Sequence, residues 1–167
     1  MKDGKTIAIV PGSFDPITIG HLDIICRAAE SFDIVIVAVM INSSKQYMFN
    51  LEERTALATE AVRNISNVSV LSSEGFLWEL CRDLSVDAIV KGYRNQMDFD
   101  YETEMAKYNE ERYPEAKTIL LESDPGFDNI SSTLVREKIR SRLDIEQLIP
   151  PMARKKLSDI ISEDKIK

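Results

Sequence analysis

The chain has one histidine in 167 residues, His21, and it closes the run Val10-Pro-Gly-Ser-Phe-Asp-Pro-Ile-Thr-Ile-Gly-His21. The run follows an apolar stretch, Thr6–Val10, that reads as a strand, and it ends where a helical pattern begins. A strand that breaks at Pro and Gly and restarts as a helix makes a phosphate-binding junction. Glycine lets backbone come close to a ligand, and the first N–H groups of a helix have no partner inside it. His21 can donate there to phosphate oxygens, in the positive field of the helix start. Ser13, in the same turn, adds a hydroxyl and a backbone donor. The junction asks for a phosphorylated ligand.

A second junction of the same kind lies at Asn129-Ile-Ser-Ser-Thr-Leu-Val-Arg136. Three hydroxyl residues precede an apolar helical pattern, and Arg136 stands one turn further along. An isolated Ser-Ser-Thr is most often an ordinary helix cap; paired with the first junction it gains weight as a phosphate cradle. Two basic groups follow other apolar runs: Lys45 after Asn42-Ser-Ser, and Lys91-Gly-Tyr-Arg94. Loop lysines are ordinarily solvated, but just beyond strands of an acidic chain they suggest a focused anion site. Gly92 permits close backbone approach. In Asp98-Phe-Asp-Tyr-Glu102, Asp98 and Asp100 read as complements to a helix dipole, and Glu102 can face the cleft. Trp78 and Met105 read as core. One histidine and isolated thiols make no metal site, and there is no Walker loop, G-x-G-x-x-G or nucleophile–base pair.

Five apolar segments must position these groups: Thr6–Val10, Ile34–Ile41, Val68–Leu71, Ala88–Val90 and Thr118–Leu121. Ile34–Ile41 is apolar throughout, as a strand covered on both faces is. Helical spacing joins Leu22, Ile25, Cys26 and Ala29, and likewise Leu77, Leu80, Cys81 and Leu84. Asn50 with Glu53 resembles a capping box, and a longer helix from about Asp98 to Tyr113 stops at Pro114. This alternation predicts an α/β fold with a doubly wound parallel sheet, whose ligands bind beyond the carboxyl ends of the strands. The polar clusters Pro11–His21, Asn42–Phe49, Lys91–Asn95 and Asp124–Thr133 can then share one cleft.

Length predicts a single domain over 1–167, with a helical tail from about 145 broken at Pro150-Pro151. A net charge of −7 argues against a broad nucleic-acid or membrane surface. Cys26 and Cys81 read as buried free thiols. The Met1-Lys-Asp-Gly-Lys start lacks an apolar leader and no run is long enough to span a membrane, so a cytoplasmic protein is expected.

Taken together, these residues resemble the nucleotidyltransferase superfamily, whose hallmarks are an [HT]-x-G-H corner and an I-S-S-T-x-x-R helix start. Thr18–His21 and Ile130–Arg136 match them. Pro11–His21, Ser43–Phe49 continuing into Leu51-Glu-Glu-Arg54, and Lys91–Arg94 with Asp98–Glu102 narrow the likeness to the bacterial phosphopantetheine adenylyltransferases, over roughly residues 6 to 140. The resemblance implies a Rossmann-like nucleotidyltransferase fold and transfer of AMP from ATP to 4′-phosphopantetheine, giving 3′-dephospho-coenzyme A and pyrophosphate. It implies direct in-line attack, with His21, Lys45, Ser13 and Arg94 as the catalytic set. ATP would lie against Ser13, Phe14, His21, Gly92, Tyr93, Arg94, Glu102 and the segment Phe127, Asp128, Asn129, Ile130, Ser131, Ser132 and Thr133. The acceptor would meet Ser13, Lys45, Leu77 and Lys91. Magnesium would come with ATP, with no metal site on the chain, and the assembly would be a homohexamer.

This sequence departs from the family at Lys91, where arginine is usual, and around Gly126-Phe-Asp-Asn129. The alternatives are a nicotinate mononucleotide adenylyltransferase or cytidylyltransferase, and a non-catalytic nucleotide- or coenzyme A-binding domain. A flavodoxin-like carrier shares the layers but lacks supporting site chemistry.

Overall fold

Ile34–Met40, hereafter β2, is Ile-Val-Ile-Val-Ala-Val-Met, and its five inner residues are all buried. Such a run favours extended backbone and gives neither face to water. The computed structural model describes residues 3–163. Met1 and Lys2 of the expected leaderless start, and 164–167 of the expected tail, lie outside them. In it β2 stands inside a five-stranded sheet with β1 (Ile7–Gly12), β3 (Val68–Ser73), β4 (Ala88–Tyr93) and β5 (Lys117–Glu122). The order is β3-β2-β1-β4-β5 and every pairing is parallel.

The sheet buries both faces because its inner strands alternate between two apolar clusters. Ala8 and Val10 of β1, with Val35, Val37 and Val39 of β2, join one cluster. Ile9, Ile36 and Ala38 join the other, with Cys81 of α3 (Leu77–Asp83) and Ala116. The first face is covered by α1 (Ile19–Ser31), α2 (Leu51–Val62), α5 (Ser132–Arg140) and α6 (Arg154–Ser162). The expected tail is therefore docked: Ile149, Ala153, Leu157 and Ile160 are buried in that cluster.

Four expectations need correction. The strands run further than their apolar cores, because paired neighbours satisfy the backbone of polar residues too. Pro11 and Gly12 pair with Ala38 and Val39, and Lys91, Gly92 and Tyr93 pair with Leu120, Leu121 and Glu122, so these residues belong to strands. Helix α1 is rotated from the predicted face: Ile24, Ile25 and Ala28 are buried, while Cys26 is only half-buried. Gly92 answers to that rotation. A Cβ there would stand 2.9 Å from Ile24 Cγ1, so the glycine makes room for α1 as well as lining the cleft. Met105 is 38% exposed because α4 (Gln96–Arg112) presents Met97, Tyr101, Met105 and Tyr108 outward, and Trp78 is only half-buried.

Two local readings hold as predicted. Asn50 Oδ1 accepts the Glu53 N–H at 2.8 Å while Glu53 Oε2 accepts the Asn50 N–H at 3.0 Å, a reciprocal cap on α2. Helix α4 starts at an Asn95 cap and ends before Pro114.

The parting of two strands positions the site. β1 pairs with β2 from Ile7 through Gly12, but with β4 only at Ala8 and Ile9. Beyond Ile9 and Ile89 the two strands diverge, at the place where the strand order reverses. Gly92→Ala is expected to destabilise the fold by about 1–3 kcal/mol through overpacking against Ile24. Combined with Ile24→Ala, the two losses in urea unfolding should be less than additive, and strict additivity would contradict the contact.

Candidate active site

The gap between β1 and β4 opens into a cleft of about 590 Å³. Gly12, Ser13 and Phe14 form its floor beside β1, and Lys91 and Gly92 form the β4 side. Lys45 and Tyr47 reach in from the loop after β2. Arg94, Asp98 and Glu102 line it from the start of α4, and Ile130–Thr133 with Arg136 from α5. All four polar clusters expected to share one cleft do so. Tyr93, Leu77, Asp128 and Asn129 do not line it. Tyr93 instead packs edge-on to Phe99, with ring centroids 4.9 Å apart. Leu77 packs against the second apolar cluster, and Asp128 and Asn129 are solvent-exposed.

His21 is the third residue of α1, and Thr18 caps that helix. Thr18 Oγ1 accepts the His21 N–H at 3.3 Å, and His21 Nδ1 accepts the Thr18 N–H at 2.9 Å. An Nδ1 that accepts carries no proton, so the ring hydrogen sits on Nε2, which is thereby a donor. The Phe14 ring packs edge-on to the imidazole at 5.0 Å between centroids. Burial, with the charges of Lys91 and then Arg94 acting in the same sense, lowers the His21 pKa from 6.5 to about 4. At neutral pH the ring is uncharged and holds its donor ready.

Two buried charges tie the loops around the cleft. Asp15 is 2% exposed, and its carboxylate accepts the N–H groups of Met48 and Phe49 at 3.0 and 2.9 Å. Arg136 donates to the Asp15 carbonyl at 2.8 Å, and Ser132 Oγ to the Pro16 carbonyl at 2.8 Å, so α5 hangs from the same turn. Arg54 is 1% exposed; its Nη1 donates to the carbonyls of Ser13 at 2.7 Å and Met40 at 3.1 Å, and its Nε to that of Phe49 at 3.1 Å. Its guanidinium also lies over the Tyr47 ring at 3.9 Å. Asp15 and Arg54 both lie inside motifs that carry the family likeness, but the sequence assigned neither of them a role. Asp15 lay inside the matched run, where a buried carboxylate looks like any turn aspartate.

The hydroxyls of the second junction have structural partners, among them the ordinary helix cap that the spacing also allowed. Ser131 Oγ caps α5 by accepting the Leu134 N–H at 3.1 Å, and Thr133 Oγ1 accepts from Arg136 at 3.2 Å. The first N–H groups of α5 remain to meet an anion, as do those of α1. The cleft cations are partly compensated: Lys91 Nζ lies 3.3 Å from Glu102 Oε1, and Arg94 Nε 3.0 Å from Asp98 Oδ2. Lys45 sits exposed on its loop, with no ion pair among the described residues. Asp98, expected only to complement the helix dipole, is also the brace of Arg94, whose backbone N–H it accepts at 3.1 Å.

The arrangement holds two helix N-termini, four cations (Lys45, Lys91, Arg94 and Arg136) and one neutral imidazole donor around a single space. It can bind a polyphosphate beside a second anion and stabilise charge that grows between them. Comparison with known proteins agrees. A family model described as cytidylyltransferase-like matches residues 9–138. The phosphopantetheine adenylyltransferase of Lactobacillus acidophilus is 44% identical over 153 residues, covering 91% of this chain and 95% of that protein. That of Frankia alni is 44% identical over 156 residues, covering 91% and 96%. The crystal structure of a "Putative Nicotinate-nucleotide Adenylyltransferase" from Vibrio parahaemolyticus matches with a TM-score of 0.73 at 21% identity, over 94% of each chain, a likeness of fold.

A chain with one histidine gives one set of imidazole NMR signals, so its titration is read without assignment. The midpoint is expected near 4, and Lys91→Gln should raise it while burial keeps it below 6.5. Between those values the unfolded chain binds more protons than the folded one. The contribution to stability is whole above about 6.5 and is lost as pH falls toward about 4, a loss of roughly 3 kcal/mol. A midpoint near 6.5 in the folded protein would contradict the desolvated, cation-flanked placement.

Proposed function

The chain belongs to the phosphopantetheine adenylyltransferase family of cytidylyltransferase-like nucleotidyltransferases, and we propose from that premise how its cleft transfers AMP from ATP to 4′-phosphopantetheine. The products are 3′-dephospho-coenzyme A and pyrophosphate, a step of coenzyme A synthesis. The observation that carries the mechanism is the fixed tautomer of His21, an uncharged Nε2–H donor at the α1 N-terminus.

The acceptor phosphate is already ionised at neutral pH and needs no general base. One of its oxygens bonds to the α-phosphorus of ATP as the bond to the β-phosphate oxygen breaks, and pyrophosphate leaves in line. His21 Nε2–H donates to an α-phosphate oxygen as charge builds there. Lys45, on its exposed loop, reaches between the acceptor and ATP. Lys91 and Ser13 hold the acceptor phosphate, and Arg94 and the N-terminus of α5 hold the outer phosphates. Glu102 and Gly92 bound the nucleotide on the β4 side. Lysine at 91 supplies charge without the planar two-pronged contact of arginine, so the acceptor is held as by a point charge.

Magnesium would enter with ATP and would be held largely by phosphate and water oxygens. The carboxylates lining the cleft fit that reading: Asp15, Asp98 and Glu102 already serve N–H or cationic partners. A cytoplasmic setting and a homohexameric assembly belong to this reading through the family likeness. Among the described residues no helix is long and apolar enough to cross a membrane. Sedimentation at six times the 19.0 kDa chain mass would support the hexamer.

The test is pyrophosphate release from magnesium-ATP with 4′-phosphopantetheine, alongside nicotinate mononucleotide with ATP and CTP-dependent pairs. Release with the first pair alone is expected. Release with another pair would overturn the substrate assignment, and silence throughout would favour a binding domain. His21→Ala should lower kcat at least a hundredfold, about 3 kcal/mol, while ATP affinity changes little. Unchanged turnover would remove His21 from the mechanism.

A further inference from the structure

Arg54 is the largest fully buried side chain among the described residues and lies behind the cleft, which it does not line. A buried guanidinium is costly unless its donors are used. Here three carbonyls from three separate segments accept from it: Ser13 after β1, Met40 at the end of β2, and Phe49 before α2. The shortest of these contacts, 2.7 Å, is to Ser13.

That contact has a consequence on the other side of the same peptide. The bond from Ser13 to Phe14 is trans, so its C=O and N–H point in opposite directions. With the carbonyl drawn inward by Arg54, the Phe14 N–H is turned outward to the cleft, which both residues line. Phe14 is 2% exposed, yet its N–H has no partner among the described residues. Phe14 also holds φ at +50°, a left-handed conformation that a bulky side chain adopts at a cost. A strained residue with an unanswered N–H beside a phosphate-binding helix start is a donor waiting for an anion. Arg54 also supports Tyr47 and so the loop that carries Lys45.

We propose that Arg54 is a positioning residue: by holding the Ser13 carbonyl it aims the Phe14 N–H at the phosphate undergoing transfer. The proposal rests on the adenylyl-transfer reading above. It assigns Arg54 no contact with either substrate, and its effect falls on kcat more than on KM, because a fixed donor acts most strongly where charge is developing.

The test compares the unmutated enzyme with Arg54→Met and Arg54→Lys, measuring pyrophosphate release at saturating magnesium-ATP and 4′-phosphopantetheine, well below each variant's Tm. Arg54→Met should lose about a hundredfold in kcat, with both KM values within about threefold, and millimolar guanidinium should restore part of the rate. Arg54→Lys keeps the charge but not the planar set of donors and should lose most of the same rate. A folded Arg54→Met with kcat within threefold of the unmutated enzyme, or a loss confined to KM, would overturn the proposal. If neither variant folds, the unmutated protein still decides. On adding α,β-methylene ATP with magnesium, the Phe14 amide proton should move downfield further than those of Ile7–Val10, and an unmoved Phe14 signal would overturn the proposal. An unmutated enzyme that releases no pyrophosphate overturns the reading beneath it, and the proposal with it.

Discussion

The parting of β1 from β4 is the constraint on which the rest depends. The two strands share a ladder only at Ala8 and Ile9 and then separate, and Ile24 of α1 wedges against Gly92 where they do. Parallel neighbours that part at their carboxyl ends leave a gap which no backbone pairing fills. The loops after each strand and the N-termini of the helices they feed then face one another across it. The gap would be useless if those loops were slack. Asp15 and Arg54 remove the slack by giving buried, charge-assisted hydrogen bonds to the turns after β1 and β2, and Arg136 hangs α5 from the same turn. Such bonds are worth more than neutral ones, and breaking them leaves buried groups unpaired.

The electrostatics follow from that frame. The chain carries a net charge of −7, yet Lys45, Lys91, Arg94 and Arg136 converge on one cleft. Holding like charges together costs energy, and Glu102 and Asp98 offset part of it beside Lys91 and Arg94. Both pairs are partly exposed, so their worth for stability is small. Their effect is to keep the cations in place. The same cations, after burial, keep His21 neutral. A charged imidazole would add one more cation; a neutral one supplies a directed donor, which suits a transition state whose charge grows on one oxygen.

How much of this was legible in the residues depended on range. β2 was plain because a strand buried on both faces has no polar position, and α2 because its cap closes within four residues. The His21 corner and the 130–136 helix start were legible because helix termini expose the same groups wherever they occur. What could not be read were the long-range partners. Lys91 and Tyr93 look like loop residues until β5 pairs with them. The buried face of α1 turns on Gly92, far away in sequence, and the expected face missed Ile24 and Ala28. Arg54 carries no local sign of burial, since its three acceptors come from three other segments. Leu77, Asp128 and Asn129 followed the family likeness, and none of them lines the cleft.

The central claim is that this cleft works by placing two anions in line around a fixed donor, with no group of the enzyme bonding to phosphorus. The stereochemical course at the α-phosphorus tests it most directly. With ATP carrying sulfur at one α-oxygen in a single configuration, direct transfer to 4′-phosphopantetheine inverts the phosphorus centre. The account predicts inversion. Retention would require two successive displacements through an adenylyl-enzyme, and would contradict it.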